Sequence, residues 1–523
     1  YLPSSRLPTV CDYITPDLQS FLEDAAHYAG GYAAGIVFPR TLQDIVEAVR
    51  SCRTLLPIGA QSSLTGGATP MGEMILSTSR MTRILGRSSD RITVEPGVTV
   101  EAMQQALAEA DAWFPPAPTF TGATAGGIVA TNAAGAATFK YGSTREWVEG
   151  LTVVLADGTV LEIDRGGIAA RAGQITLLTT SGERTVRIPT YVMPDVVKRS
   201  AGYHARPGMD AIDLFIGSEG SLGVIARVTF RTASPRPSVA LAFVPCPTEH
   251  DGIALVARLR TRSLRRDASG IDIAAIEHLD RRSIQILQED GVDRRHNLVV
   301  PANTELALIV QLELAGLTAD AIRDQIEDAL DEDAPATPMV RFCRLLHEAG
   351  VLGATEIVMP GDTRRAEALI AVREAVPAGV NRRVGAAKRT VDERIEKTAA
   401  DMIVPFDRFA DMMEAYRRGF ASRGLDYAIW GHISDGNVHP NVIPRDYDDV
   451  VKGREAILEF GREVARLGGC PLAEHGVGRS PVKQTLLRQL YGDAGIDQMR
   501  AVKQALDPQW KLAPGVLFPQ RRD

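Results

Sequence analysis

Three of the chain's nine histidines fall in two short polar blocks, Trp430-Gly-His-Ile-Ser-Asp-Gly-Asn-Val-His-Pro-Asn441 and Ala473-Glu-His-Gly-Val-Gly478. In the first block Asp435-Gly436 is a favoured two-residue hairpin turn, and folding about it sets Ser434 opposite Asn437, Ile433 opposite Val438 and His432 opposite His439. Directly paired strand positions hold their Cβ atoms roughly 4.5–5.5 Å apart, so both imidazoles can reach one ion, with Asn437 and Asn441 on the same face by alternation. Two nitrogens call for a third ligand, and Glu474 offers a carboxylate on a Gly-flanked loop ahead of a helix starting at Pro481. Two histidines and one carboxylate leave a coordination position open, as catalytic divalent sites do; zinc is favoured, and manganese or iron(II) is compatible. A lone surface histidine would carry no such meaning, but here three histidines cluster with Gly, Asn and Glu.

Two glycine-rich stretches offer a second kind of chemistry: Pro57-Ile-Gly-Ala-Gln-Ser-Ser-Leu-Thr-Gly-Gly67 and Thr121-Gly-Ala-Thr-Ala-Gly-Gly-Ile-Val-Ala-Thr-Asn-Ala-Ala-Gly135. Each combines backbone N–H groups, hydroxyls and little bulk, which lets a chain wrap a pyrophosphate closely. The plain alternative is turn-rich β structure. Neither has P-loop spacing, nor the Gly-x-Gly-x-x-Gly spacing between a strand and a helix. Gly217-Ser-Glu-Gly-Ser-Leu-Gly223 resembles such a fingerprint superficially, but a strand-like run follows it, so it reads as a strand-to-strand turn.

The elements that must position these residues alternate in an α+β pattern. Thr41 opens a helix with Asp44 three residues on, and Leu42, Ile45, Val46 and Val49 form its apolar stripe. Strands are expected at 55–58, 74–76, 91–95, 212–216 and 224–230, with a hairpin over 153–162 about Asp157-Gly158. Pro235-Arg236-Pro237 reads as a linker, and beyond it strands at 239–244 and 306–314 alternate with helices at 253–262 and 319–330. The last third is richer in helix, at 363–376, 407–420, 450–467 and 481–491. The expected domains are an extension at 1–35, a cofactor domain at 36–235, a substrate or cap domain at 236–470 carrying the histidine hairpin, and a helical segment at 471–523 returning to the cofactor domain.

Composition bounds the partners. A chain of 523 residues needs at least two cores. With 45% hydrophobic and 24% charged residues it has the make-up of packed domains, and no apolar run approaches the roughly 18 residues of a membrane span. The net charge of -7 is spread without a basic stripe, which argues against nucleic acid. Cys11, Cys52, Cys246, Cys343 and Cys470 are far apart and without CxxC spacing, so neither a disulfide framework nor an iron–sulfur cluster is signalled. Tyr1 to Pro8 carry no signal-peptide pattern. A cytoplasmic location is expected, at most peripheral to the inner membrane, with a mitochondrial one left open.

The glycine-rich stretches, with Val94-Glu-Pro-Gly97, Lys140-Tyr-Gly-Ser-Thr-Arg145 and Val153-Val-Leu-Ala-Asp-Gly158 in order, resemble the FAD-binding domain of the vanillyl-alcohol oxidase/p-cresol methylhydroxylase superfamily over about residues 36 to 233. The resemblance implies a two-subdomain FAD-binding domain with an α/β cap. Implied FAD contacts are Gly59, Ala60, Gln61, Ser62, Ser63, Leu64 and Gly66 in the first loop, and Pro116, Thr121, Gly122, Thr124, Ala125, Gly127, Thr131, Asn132 and Gly135 around the second. Glu219, Gly223 and Ile225 complete that set. Members with covalent flavin often carry a His in the first loop; Gln61-Ser62-Ser63 implies non-covalent FAD, and Gly59 to Ser63 departs from the usual Gly-Gly-Gly-Thr-Ser.

Gly431 to His439, Ala473 to Gly478 and Leu506-Asp-Pro-Gln-Trp-Lys-Leu-Ala-Pro-Gly515 resemble the C-terminal half of the D-lactate, D-2-hydroxyglutarate and glycolate dehydrogenases. By that resemblance His432, His439 and Glu474 are metal ligands, Asn441 lies beside the substrate, Arg373 holds its carboxylate and His475 is the catalytic base. The implied reaction oxidises a small D-2-hydroxy acid to the 2-oxo acid, with hydride passing to the flavin. Pro377 stands where the D-2-hydroxyglutarate enzymes have a Thr, and their second substrate lysine aligns nearest Ala399, two residues from Lys397. D-Lactate is therefore favoured, although Lys397, Lys388 or the Arg382-Arg383 pair could supply a second charge. The electron acceptor (quinone, cytochrome or electron-transfer flavoprotein) and a homodimer are left open. Two other readings are a metal-independent phenol or alcohol oxidase, whose chemistry needs no chelated hydroxyl, and a non-catalytic flavin-holding subunit, which a closed four-ligand metal site would favour.

Overall fold

A computed structural model describes residues 18–265, 267, 269–314 and 316–519. Tyr1 to Pro8, Cys11 and the first half of the expected extension lie outside the described residues. The chain forms two compact units. The first comprises Tyr1–Gly135, Gly142–Arg236 and Cys470–Asp523; the second comprises Ala136–Tyr141 and Pro237–Gly469. No helix among the described residues is long and apolar enough to cross a membrane.

The first unit is α+β. The helix Leu42–Ser51 starts with a reciprocal cap: Thr41 Oγ1 accepts from the Asp44 N–H, and the Asp44 carboxylate accepts from the Thr41 N–H. Its Ile45, Val46, Ala48 and Val49 are buried with Val37, Leu55 and Leu76 from the parallel sheet that the helix connects. In that sheet Met74–Ser77 runs between Gly35–Val37 and Leu55–Ile58. The C-terminal segment docks on its edge, Leu55 donating to the Lys511 carbonyl at 2.9 Å and accepting from the Ala513 N–H at 2.7 Å. A second, antiparallel sheet has the order Ile84–Arg87, Arg91–Val94, Val224–Arg231, Val148–Val154, Val160–Asp164, the last two strands joined through Asp157-Gly158.

Residues 212–216, expected as a strand, instead form the one-turn helix Ile212–Phe215, with all four residues buried. A short apolar run fits a buried helix as well as a strand, and Asp210 starts the turn by accepting from the Ile212 N–H. The 217–223 segment therefore joins a helix to a strand. The helix from Pro481 extends to Leu506, its run interrupted at Gly492. Its far end buries Lys503, whose ammonium donates to the Asp507 carboxylate and to the carbonyls of Ser221 and Leu512, each at 2.6 Å. A buried ammonium with all three donors used locks the C-terminal segment in place.

The second unit is a seven-stranded sheet in the order Glu356–Val358, Ser238–Cys246, Leu306–Leu314, Ile273–Asp280, Tyr427–His432, Asn437–Val442, Met402–Ile403. All its pairings are antiparallel. Leu241, Phe243, Leu279, Ile309 and Trp430 on one face pack with Leu369, Val372, Val376, Val380 and Val384 of the helix Thr363–Thr390. That helix was expected to end at Val376. It runs through Pro377 because proline's φ is helical; what is lost is the N–H that would bond the carbonyl of Arg373, four residues back. On the opposite face His278 is fully buried, its ring 6.1 Å from that of Phe409 in an edge-on contact.

Burial pulls the His278 imidazole down from 6.5 to about 4. Below pH 6.5 the unfolded chain takes up this proton and the folded chain does not, so the stability tied to His278 is intact above 6.5 and lost as pH falls towards 4. The loss is on the order of 3 kcal/mol. Melting midpoints recorded from pH 7 to pH 4.5 should therefore fall less steeply for His278→Phe than for the wild type.

Candidate functional site

In the second unit the histidine block forms a hairpin, but in a register two residues away from the expected one. His432 pairs with Asn437, Gly431 with Val438 and Trp430 with His439. The reason is the turn. Ile433–Asp435 wind into a 3-10 turn closed by Gly436 at φ +87, so the connection uses four residues where Asp435-Gly436 alone suggested two. A Cβ at Gly436 would lie 2.3 Å from the Val404 carbonyl oxygen, which only glycine avoids. Because the shift is even, every side chain keeps its face. His432 and His439 are diagonal neighbours, ring centroids 5.7 Å apart and planes at 89°, with Asn437 and Asn441 on the same side.

Each imidazole is backed by a carboxylate. Glu277 Oε1 lies 2.7 Å from His432 Nδ1, and Asp401 Oδ1 lies 3.4 Å from His439 Nδ1. Burial alone would push the Glu277 carboxyl up; the Arg373 guanidinium and His432 overcome it and hold it down to about 2. An ionised carboxylate only accepts, so His432 carries its proton on Nδ1 and keeps the Nε2 lone pair that a metal needs. Asp401 is itself oriented by Asn437, whose amide donates to it at 3.0 Å and to the Met402 carbonyl at 2.9 Å. Arg373, on the helix Thr363–Thr390, donates from Nε to Glu277 Oε2 at 3.0 Å.

Residues 398–403 run antiparallel to Asn437–Val442, with Ala399 paired to Asn441 and Met402 to Val438. Strand alternation then puts Asp401 opposite His439, while half-buried Lys397 lies two residues before Ala399. The Asn441 amide donates to the His439 carbonyl at 2.9 Å.

In the first unit the two glycine-rich loops wall a cavity of about 320 Å³. Of the expected cofactor residues Gly59, Ala60, Gln61, Ser62, Ser63, Leu64, Thr124, Gly127, Thr131, Glu219, Gly223 and Ile225 line it. Gly66, Pro116, Thr121, Gly122, Ala125, Asn132 and Gly135 do not. Asn132 is spent on structure, its side-chain oxygen accepting from Ser143 Oγ and the Arg145 N–H. The Gln61 amide likewise turns to the carbonyls of Phe21, Glu23 and Ala68. Pro57, Thr78, Pro96 and Phe120 also line the cavity, and of these Thr78 and Phe120 fall outside the motifs marked in the sequence. A lining of small residues, hydroxyls and backbone fits an extended dinucleotide, and the Glu219 carboxylate is taken up by the N–H groups of Val477 and Gly478, at 2.8 Å each.

Glu474 and His475 line this same cavity. Their loop is stitched to the first glycine-rich loop: the N–H groups of Arg479 and Ser480 donate to the Thr65 carbonyl. Gly478 sits at φ +56, and a Cβ there would meet Thr65 Oγ1 at 2.2 Å, so the approach needs glycine. Fully buried Lys198 places Nζ 2.9 Å from Glu474 Oε2, and His475 Nε2 lies 3.6 Å from Glu474 Oε1. Lys198, Glu277 and Asp401 escape a reading of the sequence. The one available signal is an acid set in an apolar strand, as in Ile273-Ala-Ala-Ile-Glu-His-Leu-Asp280.

Residues 33–164 match the FAD binding domain, and residues 236–517 match the C-terminal domain of FAD linked oxidases. A probable mitochondrial D-lactate dehydrogenase from Danio rerio is 26% identical, covering 92% of this chain and 83% of that protein. Mitochondrial D-2-hydroxyglutarate dehydrogenase from Bos taurus is 29% identical (94% and 77%), and glycolate oxidase subunit GlcD from Bacillus subtilis strain 168 is 26% identical (92% and 88%). Among solved structures, an alkyldihydroxyacetonephosphate synthase aligns with a TM-score of 0.57 at 13% identity over 93% of this chain and 76% of its own, a likeness of fold. The chain belongs to the FAD-linked oxidases, in the branch of the vanillyl-alcohol oxidase/p-cresol methylhydroxylase superfamily that holds the D-lactate, D-2-hydroxyglutarate and glycolate enzymes.

Proposed function

We propose that the chain oxidises a small D-2-hydroxy acid to the 2-oxo acid, D-lactate ahead of glycolate, using non-covalent FAD and a divalent cation held by His432, His439 and Glu474. The observation that carries the reading is the position of His475, which with Glu474 lines the cavity walled by both glycine-rich loops. The relatives named for D-lactate, D-2-hydroxyglutarate and glycolate support it. Bound FAD supplies a two-electron sink. The cation supplies positive charge that makes the substrate hydroxyl more acidic; its donor set, two carboxylate-backed imidazoles and one carboxylate, suits zinc first and manganese or iron(II) next. His475 takes the hydroxyl proton, Arg373 meets the substrate carboxylate with a planar guanidinium, and Asn441 borders the substrate.

A second substrate fits the same reading. Lys397, half-buried and two residues before the Ala399 that pairs with Asn441, would suit the far carboxylate of D-2-hydroxyglutarate.

Mixed anaerobically with D- and L-2-hydroxy acids, the FAD-loaded protein should bleach with the D-acids, and removal of the metal by a chelator should abolish bleaching. Bleaching that survives metal removal would turn the reading towards a metal-independent alcohol or phenol oxidase. His475→Asn should retain FAD while slowing flavin reduction about 10²–10⁴-fold in stopped flow; near-normal reduction would refute the base. Lys397→Met should raise KM for D-2-hydroxyglutarate and leave that for D-lactate in place, and equal effects on both would remove Lys397 from the site.

A further inference from the structure

His432 comes from a hairpin strand and Arg373 from the helix Thr363–Thr390, and one carboxylate holds them both. Glu277 lies on the strand Ile273–Asp280, which pairs with Tyr427–His432 through His278–Gly431 and Leu279–Trp430, so the same register brings Glu277 alongside His432. Its two oxygens are divided: Oε1 is 2.7 Å from His432 Nδ1, and Oε2 is 3.0 Å from Arg373 Nε. The Glu277 side chain is only 10% exposed and that of Arg373 14%, so little water competes for these bonds. The Nδ1 bond sets which imidazole nitrogen is left to bind a metal, and the Nε bond fixes the plane in which the guanidinium fork lies.

We infer that Glu277 is a positioning residue shared by the metal and the substrate, orienting His432 as a ligand with one oxygen and Arg373 as the carboxylate clamp with the other. This rests on the reading of His432 and Arg373 proposed above. A simple neutralising role for Glu277 beside Arg373 would predict something different, namely lower stability with metal affinity unaltered. Glutamine is the informative replacement. It keeps the size but has one acceptor oxygen, so it can accept from His432 or from Arg373 and must turn an N–H₂ towards the other donor.

The test uses the full-length, FAD-loaded protein, with zinc affinity measured by competition against a chromogenic chelator and KM for D-lactate measured at saturating zinc. Glu277→Gln should weaken zinc binding about 10–100-fold and raise KM roughly tenfold, with FAD content unchanged. Arg373→Met should raise KM and leave zinc affinity unchanged, and combining the two should raise KM little beyond Arg373→Met alone, because both changes remove the same clamp. Unchanged zinc affinity in Glu277→Gln, or additive effects on KM, would overturn the assignment while the metal reading stands. A wild-type chain that takes up no zinc, manganese or iron(II) would instead sink the metal reading and the metal half of this assignment with it. If the Gln variant does not fold, Glu277→Asp, which keeps the charge but draws both oxygens back by one methylene, is judged by the same criteria.

Discussion

A carboxylate shut away from water must have its charge answered on each side, and in the second unit Glu277 is answered by an imidazole and a guanidinium from two different elements. That double pairing binds strand, hairpin and helix into one polar corner of a sheet face otherwise filled by Leu279, Ile309, Trp430 and the valines of the long helix. Apolar packing sets how far the helix stands from the sheet, and the ion pair sets where along it Arg373 must fall. Neither would suffice alone: packing tolerates sliding, and an unsupported buried charge would be expelled or neutralised.

The first unit meets its positioning problem with backbone. The loop bearing Glu474 and His475 is held to Thr65 by two N–H donors and to Glu219 by two more, at an approach that only a glycine at 478 permits. Four hydrogen bonds donated by backbone N–H groups of this loop, two to the Thr65 carbonyl and two to the Glu219 carboxylate, fix its plane and direct the histidine into the cavity. Lys198 then supplies a fully buried counter-charge to Glu474.

How much of this was legible in the sequence depended on range. The helix cap at Thr41, the hairpin at Asp157-Gly158 and the shared face of the two imidazoles follow from spacings of a few residues, where turn chemistry and alternation are strong rules. The hairpin register failed because Ser434-Asp435-Gly436 supports either a two-residue turn or a 3-10 turn, and contact with Val404 selects the second. The strand at 273–280 went unread since Glu277-His278 breaks its apolar run. No local rule could have paired Glu277 with a histidine 155 residues away. The same holds for Asp401 and Lys198, whose partners are supplied by sheet order and loop path. Arg373 was singled out by resemblance alone, and its bond to Glu277 came only with the fold.

The path of the chain carries one more consequence. The first unit is assembled from three stretches, and its parallel sheet gains the Leu512 segment at an edge strand laid down some 450 residues earlier, at Leu55. A ribosome delivers Leu55 long before Leu512, and between them it delivers almost the whole of the second unit as one uninterrupted piece, Pro237–Gly469. Vectorial synthesis therefore lets the later-encoded unit mature while the earlier one still waits for its closing segment, with a strand edge uncovered in the interval.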